Sequence, residues 1–225
     1  MEKTEKYSFK KYNNVNRFIS YYYQLLIVIN LKPKKVLEIG VGHGFFTNNL
    51  RYMGYDITTC DIDKDLRPDI VSDITKLNLP DNSYDTVVAF EVLEHLPFKL
   101  FEKSLIEMKR VSKKYVVLSI PHPTLYLGLF AGFQKPLIKL NFRIPTPFLR
   151  RKFKKLIKFR KGKGIIDKIK NIFLKLFYSE EHYWEMGIKN YPSNKIIKKI
   201  EKHFKIVKSF QPKYSVYHHF FVLEK

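Results

Sequence analysis

Short apolar runs recur along the first half of the chain, with helical patterns between them. Runs rich in β-branched residues cover 36–39, 86–90 and 114–120, as expected for strands that are buried on both faces of a parallel sheet. Residues 100–111 carry apolar side chains at the spacing of an amphipathic helix. This alternation of strands and helices predicts an α/β fold with a doubly wound, mostly parallel sheet.

The remaining elements follow from the same patterns. They are a helix at 15–30 that ends before Pro33, a strand at 56–61, a short strand at 68–74, a helix at 194–204 and a strand pair at 206–210 and 216–224. At 225 residues the chain suits one domain. We expect a core formed by 15–122 and 179–225, interrupted by an insertion at 123–178.

The first predicted strand runs into the sequence EIGVGHG at 38–44, and a helix is expected from Phe45. Glycines in a strand-to-helix turn let a nucleotide approach the backbone where a Cβ atom would collide. A dinucleotide fingerprint, Gly-x-Gly-x-x-Gly, needs its third glycine at position 45 or 47. Phe45 and Thr47 stand there, so the turn is not that of a dinucleotide-binding protein.

Acidic residues follow the ends of the other predicted strands. Asp61 closes the second strand, where a carboxylate can accept hydrogen bonds from ribose hydroxyls. Asp73 follows the third strand, and the fourth runs into EVLEHL at 91–96. Together with the glycine turn, this pattern resembles the small-molecule branch of the class I S-adenosylmethionine-dependent methyltransferases (type 11-like domain). The resemblance covers about 30–120 and 180–225.

The resemblance implies a Rossmann-like, seven-stranded sheet with an antiparallel last strand, and S-adenosylmethionine as cofactor and methyl donor. Asp73 would bind the adenine amino group, the next residue would pack on the ring, and the end of strand four would flank the methionine moiety. A helix before the first strand would cover the pocket, and Tyr21, Tyr22 and Tyr23 could line it. The positions assigned to the cofactor are Glu38, Gly40, Gly42, Gly44, Asp61, Ile62, Asp73, Ile74, Phe90 and Glu91.

Methyl transfer needs a base only when the acceptor must lose a proton. The candidate catalytic residues are His95, His122, His182 and Glu185, and for each histidine a purely structural hydrogen bond is an equally good interpretation. A metal ion is the less favoured alternative. Its ligands would be Glu91, Glu94, His95 and His182, an array that resembles the divalent-metal site of small-RNA terminal 2'-O-methyltransferases.

The charge is extreme and uneven. The chain carries a formal net charge of +21, and 122–178 contains fifteen Lys or Arg residues and one acid, a net charge of +14. Two amphipathic segments, 148–156 and 165–177, lie in this region. A helical lid over the acceptor pocket is the favoured interpretation. Attachment to an anionic membrane surface through 124–178 comes second, and nucleic-acid binding along phosphates comes third.

The single cysteine, Cys60, and the polar start of the chain favour a cytoplasmic protein, with peripheral membrane association as an option. We predict a methyltransferase that acts on a small or lipid-like acceptor. The alternatives are a metal-assisted RNA 2'-O-methyltransferase and a non-catalytic protein that binds S-adenosylmethionine or a membrane surface. The sequence determines neither the acceptor nor whether O, N or C is methylated, and it leaves the oligomeric state open.

Overall fold

The computed structural model describes residues 14–131, 138–145, 182–188, 190–212 and 217–225. The helices are α1 (Val15–Leu31), α2 (Phe45–Tyr52), α3 (Phe101–Val111) and α4 (Ser193–Glu201). The strands are β1 (Lys35–Ile39), β2 (Asp56–Asp61), β3 (Ile70–Val71), β4 (Tyr84–Phe90), β5 (Ser112–Pro121), β6 (Thr124–Ala131), β7 (Ile138–Pro145), β8 (Lys205–Phe210) and β9 (His218–Glu224). Short 3₁₀ turns cover Lys64–Leu66, Leu93–His95 and Phe98–Leu100.

Seven strands form one sheet in the order β3-β2-β1-β4-β5-β9-β8. The pairs among β1 to β5 are parallel, whereas β9 is antiparallel to both β5 and β8. The predicted fold class is therefore confirmed, including the antiparallel last strand. Because β9 runs antiparallel to β5, its first residue, His218, pairs with Pro121 at the edge of the sheet at which the parallel strands end.

Both faces of the sheet are covered, which explains the continuous apolar runs. Successive side chains of a strand point to opposite faces, so Leu37 and Ile39 pack in one buried cluster while Val36 packs in the other. The first cluster includes residues of α3 and α4, and the second includes residues of α1 and α2. Burial on both faces makes a strict register necessary, because a slip by one residue exchanges the two faces.

The two C-terminal helices of the described chain are joined by one carboxylate. Glu102 at the start of α3 lies 2.7 Å from the Nζ atoms of both Lys199 and Lys202, and 3.1 Å from Nε2 of His203. These cations lower the pKa of Glu102 to about 2. The contacts attach α4, and with it the strand pair β8–β9, to the central part of the fold.

The start of the insertion is not helical. Strands β6 and β7 pair antiparallel from Thr124 with Pro145 to Ala131 with Ile138, as a separate two-stranded sheet. The prediction of a helical insertion at 123–178 is wrong for this part, because a partner strand satisfies the backbone hydrogen bonds. The amphipathic segments 148–156 and 165–177 lie outside the described residues. Within the described part, no helix combines the length and apolar character needed to cross a bilayer.

Candidate active site

The glycine turn after β1 requires its glycines. Gly40, Gly42 and Gly44 have φ values of +86°, +54° and +77°, in the left-handed region that glycine adopts without strain. A Cβ atom on Gly40 would lie 2.3 Å from Cγ2 of Val92. The turn therefore packs directly against the loop that follows β4, which brings two predicted cofactor segments together.

Glu38 of β1 connects the strand before this turn to the helix after it. Its carboxylate accepts a hydrogen bond from the hydroxyl of Thr47 in α2, and only 4% of the residue is exposed. Burial raises the pKa of Glu38 to about 8, and the hydrogen bond from Thr47 offsets only part of that shift. Glu38 is therefore mostly protonated near neutral pH.

Asp61 joins the end of β2 to the glycine turn. Its Oδ2 accepts a hydrogen bond from the backbone N–H of Val41, and its Oδ1 accepts one from Asp63, each at 2.9 Å. The neighbouring Ile62 is 70% exposed. A carboxylate held by two backbone N–H groups still has lone pairs for further donors, as the predicted ribose contact requires.

Asp73 and Ile74 lie beyond β3. Asp73 Oδ1 accepts a hydrogen bond from the backbone N–H of Thr75 at 2.7 Å, so it shapes its own turn. Ile74 belongs to a buried core cluster and is only 5% exposed. Little of Ile74 can therefore contact an adenine ring, whereas the exposed Ile62 offers more surface.

A cleft above the carboxyl ends of β1 and β4 unites half of the ten predicted cofactor residues. It is lined by Glu38, Gly40, Gly42, Phe90 and Glu91, together with Arg17, Tyr21 and Gln24 of α1 and His43 of the glycine turn. Gly44 borders an adjacent cleft. The sequence reasoning missed Arg17, Gln24 and His43. The spacing of Arg17 and Gln24 relative to Tyr21 could have indicated them, since residues 17, 21 and 24 share one face of a helix.

Of the three consecutive tyrosines in α1, Tyr21 lines the cleft. Its hydroxyl is 3.1 Å from Nε2 of His43, and its ring stacks on Phe45 with centroids 4.3 Å apart. Tyr22 is 60% exposed, and Tyr23 contacts rings of the C-terminal strands. Burial and the charge of Arg17 lower the pKa of His43, which favours a neutral ring between α1 and the turn.

Glu91 occupies the left-handed region, with φ +56°, at the end of β4. Its carboxylate accepts a hydrogen bond from Ser119 Oγ at 2.7 Å and lies 3.1 Å from Nε2 of His218. Burial raises the pKa of Glu91, but the charge and hydrogen bond of His218 lower it further, so the net shift is downward. Strands β4, β5 and β9 are neighbours in the sheet, which is why these three groups meet.

Beside Glu91 lies a second group of predicted residues. Glu185 Oε1 is 2.9 Å from Nδ1 of His182 and accepts a hydrogen bond from the Tyr217 hydroxyl at 2.7 Å. Burial and the charge of Glu185 raise the pKa of Tyr217. The structure thus brings His182 and Glu185 together and adds Tyr217, which sequence reasoning missed because it lies 32 residues from Glu185.

Backbone contacts hold the segment around His182 against the loop after β4. Tyr183 N–H donates to the carbonyl of Glu94 at 2.9 Å, and Trp184 Nε1 donates to that of Leu96 at 3.0 Å. Trp184 is 1% exposed. The position of His182 and Glu185 therefore depends on a buried anchor.

Glu94, His95 and His182 could hold a metal ion, because one ligand atom of each lies within 4.8 Å of the others. The His95 and His182 rings have centroids 4.9 Å apart. Glu91, the fourth ligand of the metal alternative, is bound instead to Ser119 and His218. Burial and the charge of Glu91 raise the pKa of Glu94 well above its ordinary value.

His122 belongs to a different cluster. Its Nδ1 is 3.2 Å from Nδ1 of His219, whose Nε2 is 2.8 Å from Ser209 Oγ. Its ring also packs against Gly187, where a Cβ atom would lie 2.7 Å away. Among the catalytic candidates, His95, His182 and Glu185 thus share one site, and His122 packs at the β5–β9 junction.

Comparisons with known proteins agree with this site. Residues 37–120 match the family model of a methyltransferase domain, which spans the glycine turn, Asp61, Asp73 and the loop after β4. No curated protein sequence is significantly similar to the chain.

Several solved structures share the fold. The PH0226 protein from Pyrococcus horikoshii OT3 aligns with a TM-score of 0.57 at 13% identity, covering 97% of this chain and 94% of that one. Magnesium protoporphyrin IX methyltransferase from Synechocystis PCC 6803, with bound S-adenosylhomocysteine (SAH), aligns with a TM-score of 0.57 at 15% identity. The alignment covers 94% of this chain and 84% of that one. The 1,6-didemethyltoxoflavin-N1-methyltransferase from Burkholderia thailandensis, with 1,6-didemethyltoxoflavin and S-adenosylhomocysteine bound, aligns with a TM-score of 0.51 at 11% identity. The alignment covers 92% of this chain and 76% of that one.

The matched segment contains the cleft residues at the ends of β1 and β4 and in the glycine turn, whereas those of α1 precede it. The fold, the family match and this cleft agree on one assignment. Residues 37–120 match a methyltransferase domain, and the protein acts as an S-adenosylmethionine-dependent methyltransferase with S-adenosylmethionine as its methyl donor.

Proposed function

We propose that the protein methylates a small or lipid-like molecule at a group that loses a proton to His182. The observation that carries this proposal is the hydrogen-bonded group of His182, Glu185 and Tyr217 beside Glu91 of the cofactor cleft. Glu185 binds Nδ1 of His182, which favours a proton on Nδ1 and leaves Nε2 as the free base. This is the arrangement that a general base requires.

The residues of the cleft fit S-adenosylmethionine, which supplies an activated methyl group when bound. We propose that Arg17 binds its carboxylate and that Glu91 faces its ammonium group. Asp61 would accept the ribose hydroxyls. A Cβ atom on Gly40 would collide with Val92, so the glycine keeps the turn packed against the loop that follows β4.

Asp73 and Ile62 would border the adenine in the same arrangement, with Ile74 contributing from the core. The Glu38 carboxyl is buried behind the turn, so we expect it to act mainly by holding the turn against α2.

The chain must also align the acceptor atom with the methyl group of the donor. Methyl transfer from an activated donor needs the acceptor atom in line and water excluded, and both effects can contribute much of the rate. The buried Trp184 and the backbone contacts of Tyr183 keep His182 in place. We infer that these residues fix the acceptor end of the site.

The names of two similar structures support a small acceptor. One is a methyltransferase of magnesium protoporphyrin IX and the other of 1,6-didemethyltoxoflavin. Both are small organic molecules, so they favour this acceptor class over RNA. Attachment to an anionic membrane through 124–178 and a cytoplasmic location stay predictions, since most of that segment lies outside the described residues.

A second candidate is metal-assisted methyl transfer. The observation in its favour is the cluster of Glu94, His95 and His182, because a divalent cation there could lower the pKa of an acceptor hydroxyl. Removal of metal by EDTA separates the candidates. Loss of activity that Mn²⁺ or Mg²⁺ restores would support the metal, whereas unchanged activity supports His182 as the base.

A labelled-donor screen tests the proposed function. The full chain is incubated with methyl-labelled S-adenosylmethionine and a cellular metabolite extract, with and without anionic liposomes. We expect label in a small-molecule or lipid fraction and none when His182 is replaced by Gln. Label that appears only in RNA contradicts the proposal.

A further inference from the structure

Three buried side chains around His182 carry polar atoms that have no hydrogen-bond partner among the described residues. The unpaired atoms are the two carboxylate oxygens of Glu94, Oε2 of Glu185 and Nδ1 of His218. The exposed fractions of these residues are 0%, 3% and 5%. Buried polar atoms are nearly always paired, and an orphaned one destabilises the fold. Their concentration beside the cofactor cleft indicates a place for a ligand.

The group is acidic, and its charges act on one another. Glu91 is bound by His218, and Glu185 is bound by His182 and Tyr217. Glu94 forms no ion pair among the described residues. The charges of Glu91 and Glu185 both raise the pKa of Glu94. A buried carboxylate needs a cation or several donors to remain ionised.

This charge pattern discriminates between the classes of methyl acceptor. A carboxylate or phosphate would be repelled by Glu94 and Glu185. A neutral hydroxyl can donate one hydrogen bond but brings no positive charge, so Glu94 would keep its own proton. An ammonium group brings a positive charge and up to three donors, which matches the unpaired oxygens of Glu94 and Glu185.

We propose that Glu94 and Glu185 form an ammonium subsite and that the acceptor is an amine, which is methylated on nitrogen. The inference rests on the proposed function. It narrows the possible acceptors from any molecule that loses a proton to the amines. The exposed His95, which stacks edge-on against His182, marks the side from which the amine enters.

The step balances in atoms and charge. The ammonium nitrogen gives one proton to His182, and its lone pair then forms the bond to the transferred methyl carbon. The electron pair of the broken carbon–sulfur bond stays on sulfur, so S-adenosylhomocysteine leaves as a neutral thioether. The product is a methylated ammonium, which Glu94 and Glu185 can still pair, while His182 returns its proton to solvent.

Binding of three matched probes tests the subsite without turnover. Benzylamine, benzyl alcohol and benzoate are titrated by calorimetry into the full chain saturated with S-adenosylhomocysteine. We expect benzylamine to bind at least about tenfold more tightly than benzyl alcohol, and benzoate most weakly, because a charge-assisted hydrogen bond exceeds a neutral one. Equal binding of amine and alcohol, a preference for benzoate, or no binding of benzylamine overturns the proposal.

Variants of the carboxylate assign the preference to its residue. Glu94→Gln should remove most of the preference for benzylamine, whereas Glu94→Asp keeps the charge and should retain it even where the fold is less stable. Glu102→Gln, the same exchange at a carboxylate that binds α4, is the matched control and should leave the preference unchanged. A preference that survives Glu94→Gln contradicts the assignment.

The labelled-donor screen provides the second test when the methyl group carries ¹³C. The ¹³C chemical shift of the product distinguishes N-methyl, O-methyl and C-methyl groups. An N-methyl product is expected. An O- or C-methyl product overturns the amine inference but leaves the proposed function standing, and the absence of any labelled small molecule contradicts both. Mn²⁺ binding that is lost in Glu94→Gln would also overturn it, in favour of a metal at this site.

Discussion

The two halves of the active site are built in different ways. The cofactor half is nearly contiguous in sequence: Glu38, Asp61 and Glu91 lie at the carboxyl ends of three neighbouring strands, inside the segment that matches the methyltransferase domain. The acceptor half is assembled from three separate segments, 94–95, 182–185 and 217–218, and two of them lie beyond the match. The family match thus covers Glu38, Asp61 and Glu91 of the cofactor half, whereas most of the acceptor half lies outside it.

The halves also differ in how their carboxylates are satisfied. Asp61, Glu38 and Glu91 all accept hydrogen bonds from the protein itself. Glu94 accepts none among the described residues, and one oxygen of Glu185 is likewise unpaired. The cofactor half is therefore held in shape by its own contacts. The acceptor half retains unpaired polar atoms that a substrate can satisfy.

The largest expected effect comes from the acceptor half. His182→Gln should lower kcat by roughly 10²–10⁴, the usual contribution of a general base, while the Kd for S-adenosylmethionine changes less than about twofold. Turnover of the acceptor found by the screen, together with calorimetry of the cofactor, measures both. His203→Gln, at a histidine that contacts Glu102, is the control. A loss of cofactor affinity equal to the loss of kcat would break the division into two halves.

The next effect concerns the cofactor half. Asp61→Asn should weaken S-adenosylmethionine binding by about 100-fold, since it removes a charged acceptor of the ribose hydroxyls and loosens the turn at Val41. Calorimetry with S-adenosylmethionine checks this. Asp85→Asn is the matched exchange, because Asp85 binds backbone N–H groups at the start of β1. Cofactor affinity in Asp85→Asn should match that of the parent chain, and equal losses in both variants would contradict the assignment.

A third prediction uses pH to separate folding from binding. The pKa of Glu38 is about 8 in the folded protein against 4.5 ordinarily, so the unfolded state loses its proton first as pH rises. The free energy of unfolding should fall between pH 4.5 and 8, by roughly 4–5 kcal/mol at most.

Denaturant unfolding of the parent chain and Glu38→Gln at several pH values isolates this contribution. The difference in the free energy of unfolding between the two proteins should depend on pH across that window. A difference that is constant from pH 4.5 to 8 would show that Glu38 ionises normally.

The smallest effect lies outside the site. Glu102→Gln should lower the free energy of unfolding by about 1 kcal/mol at neutral pH, since partly exposed ion pairs contribute little. The pKa of Glu102 is lowered to about 2, so its contribution is present above pH 4.5 and is lost as pH falls towards 2. Thermal unfolding at pH 7 and pH 3 measures it. A change in cofactor affinity in this variant would contradict its purely structural role.

Much of the fold could be predicted because its determinants are local. The helix α2 begins at Phe45, as predicted, since the glycine turn directly before it marks the start of the helix. The start of the insertion could not be predicted in this way. Strands β6 and β7 depend on pairing with each other, and a periodicity reading of one segment contains no information about a partner.

The cofactor half followed from the sequence for the same reason. Parallel strands end at one edge of the sheet, so residues that follow strand ends are brought together whatever the details of packing. Glu38, Asp61 and Glu91 needed only that rule. Ile74 shows its limit, because its burial in the core depends on packing from several elements.

The sequence by itself therefore determined the sheet, the turn and the carboxylates of the cofactor half. Only the tertiary structure decided that Arg17 lines the cleft, that Tyr217 binds Glu185, and that Glu94 has no partner among the described residues. The physical reason is that strand β9 enters between β5 and β8. The position of β9 in the sheet brings residues that lie more than a hundred positions from the glycine turn to the edge of the sheet where the methyl group is transferred.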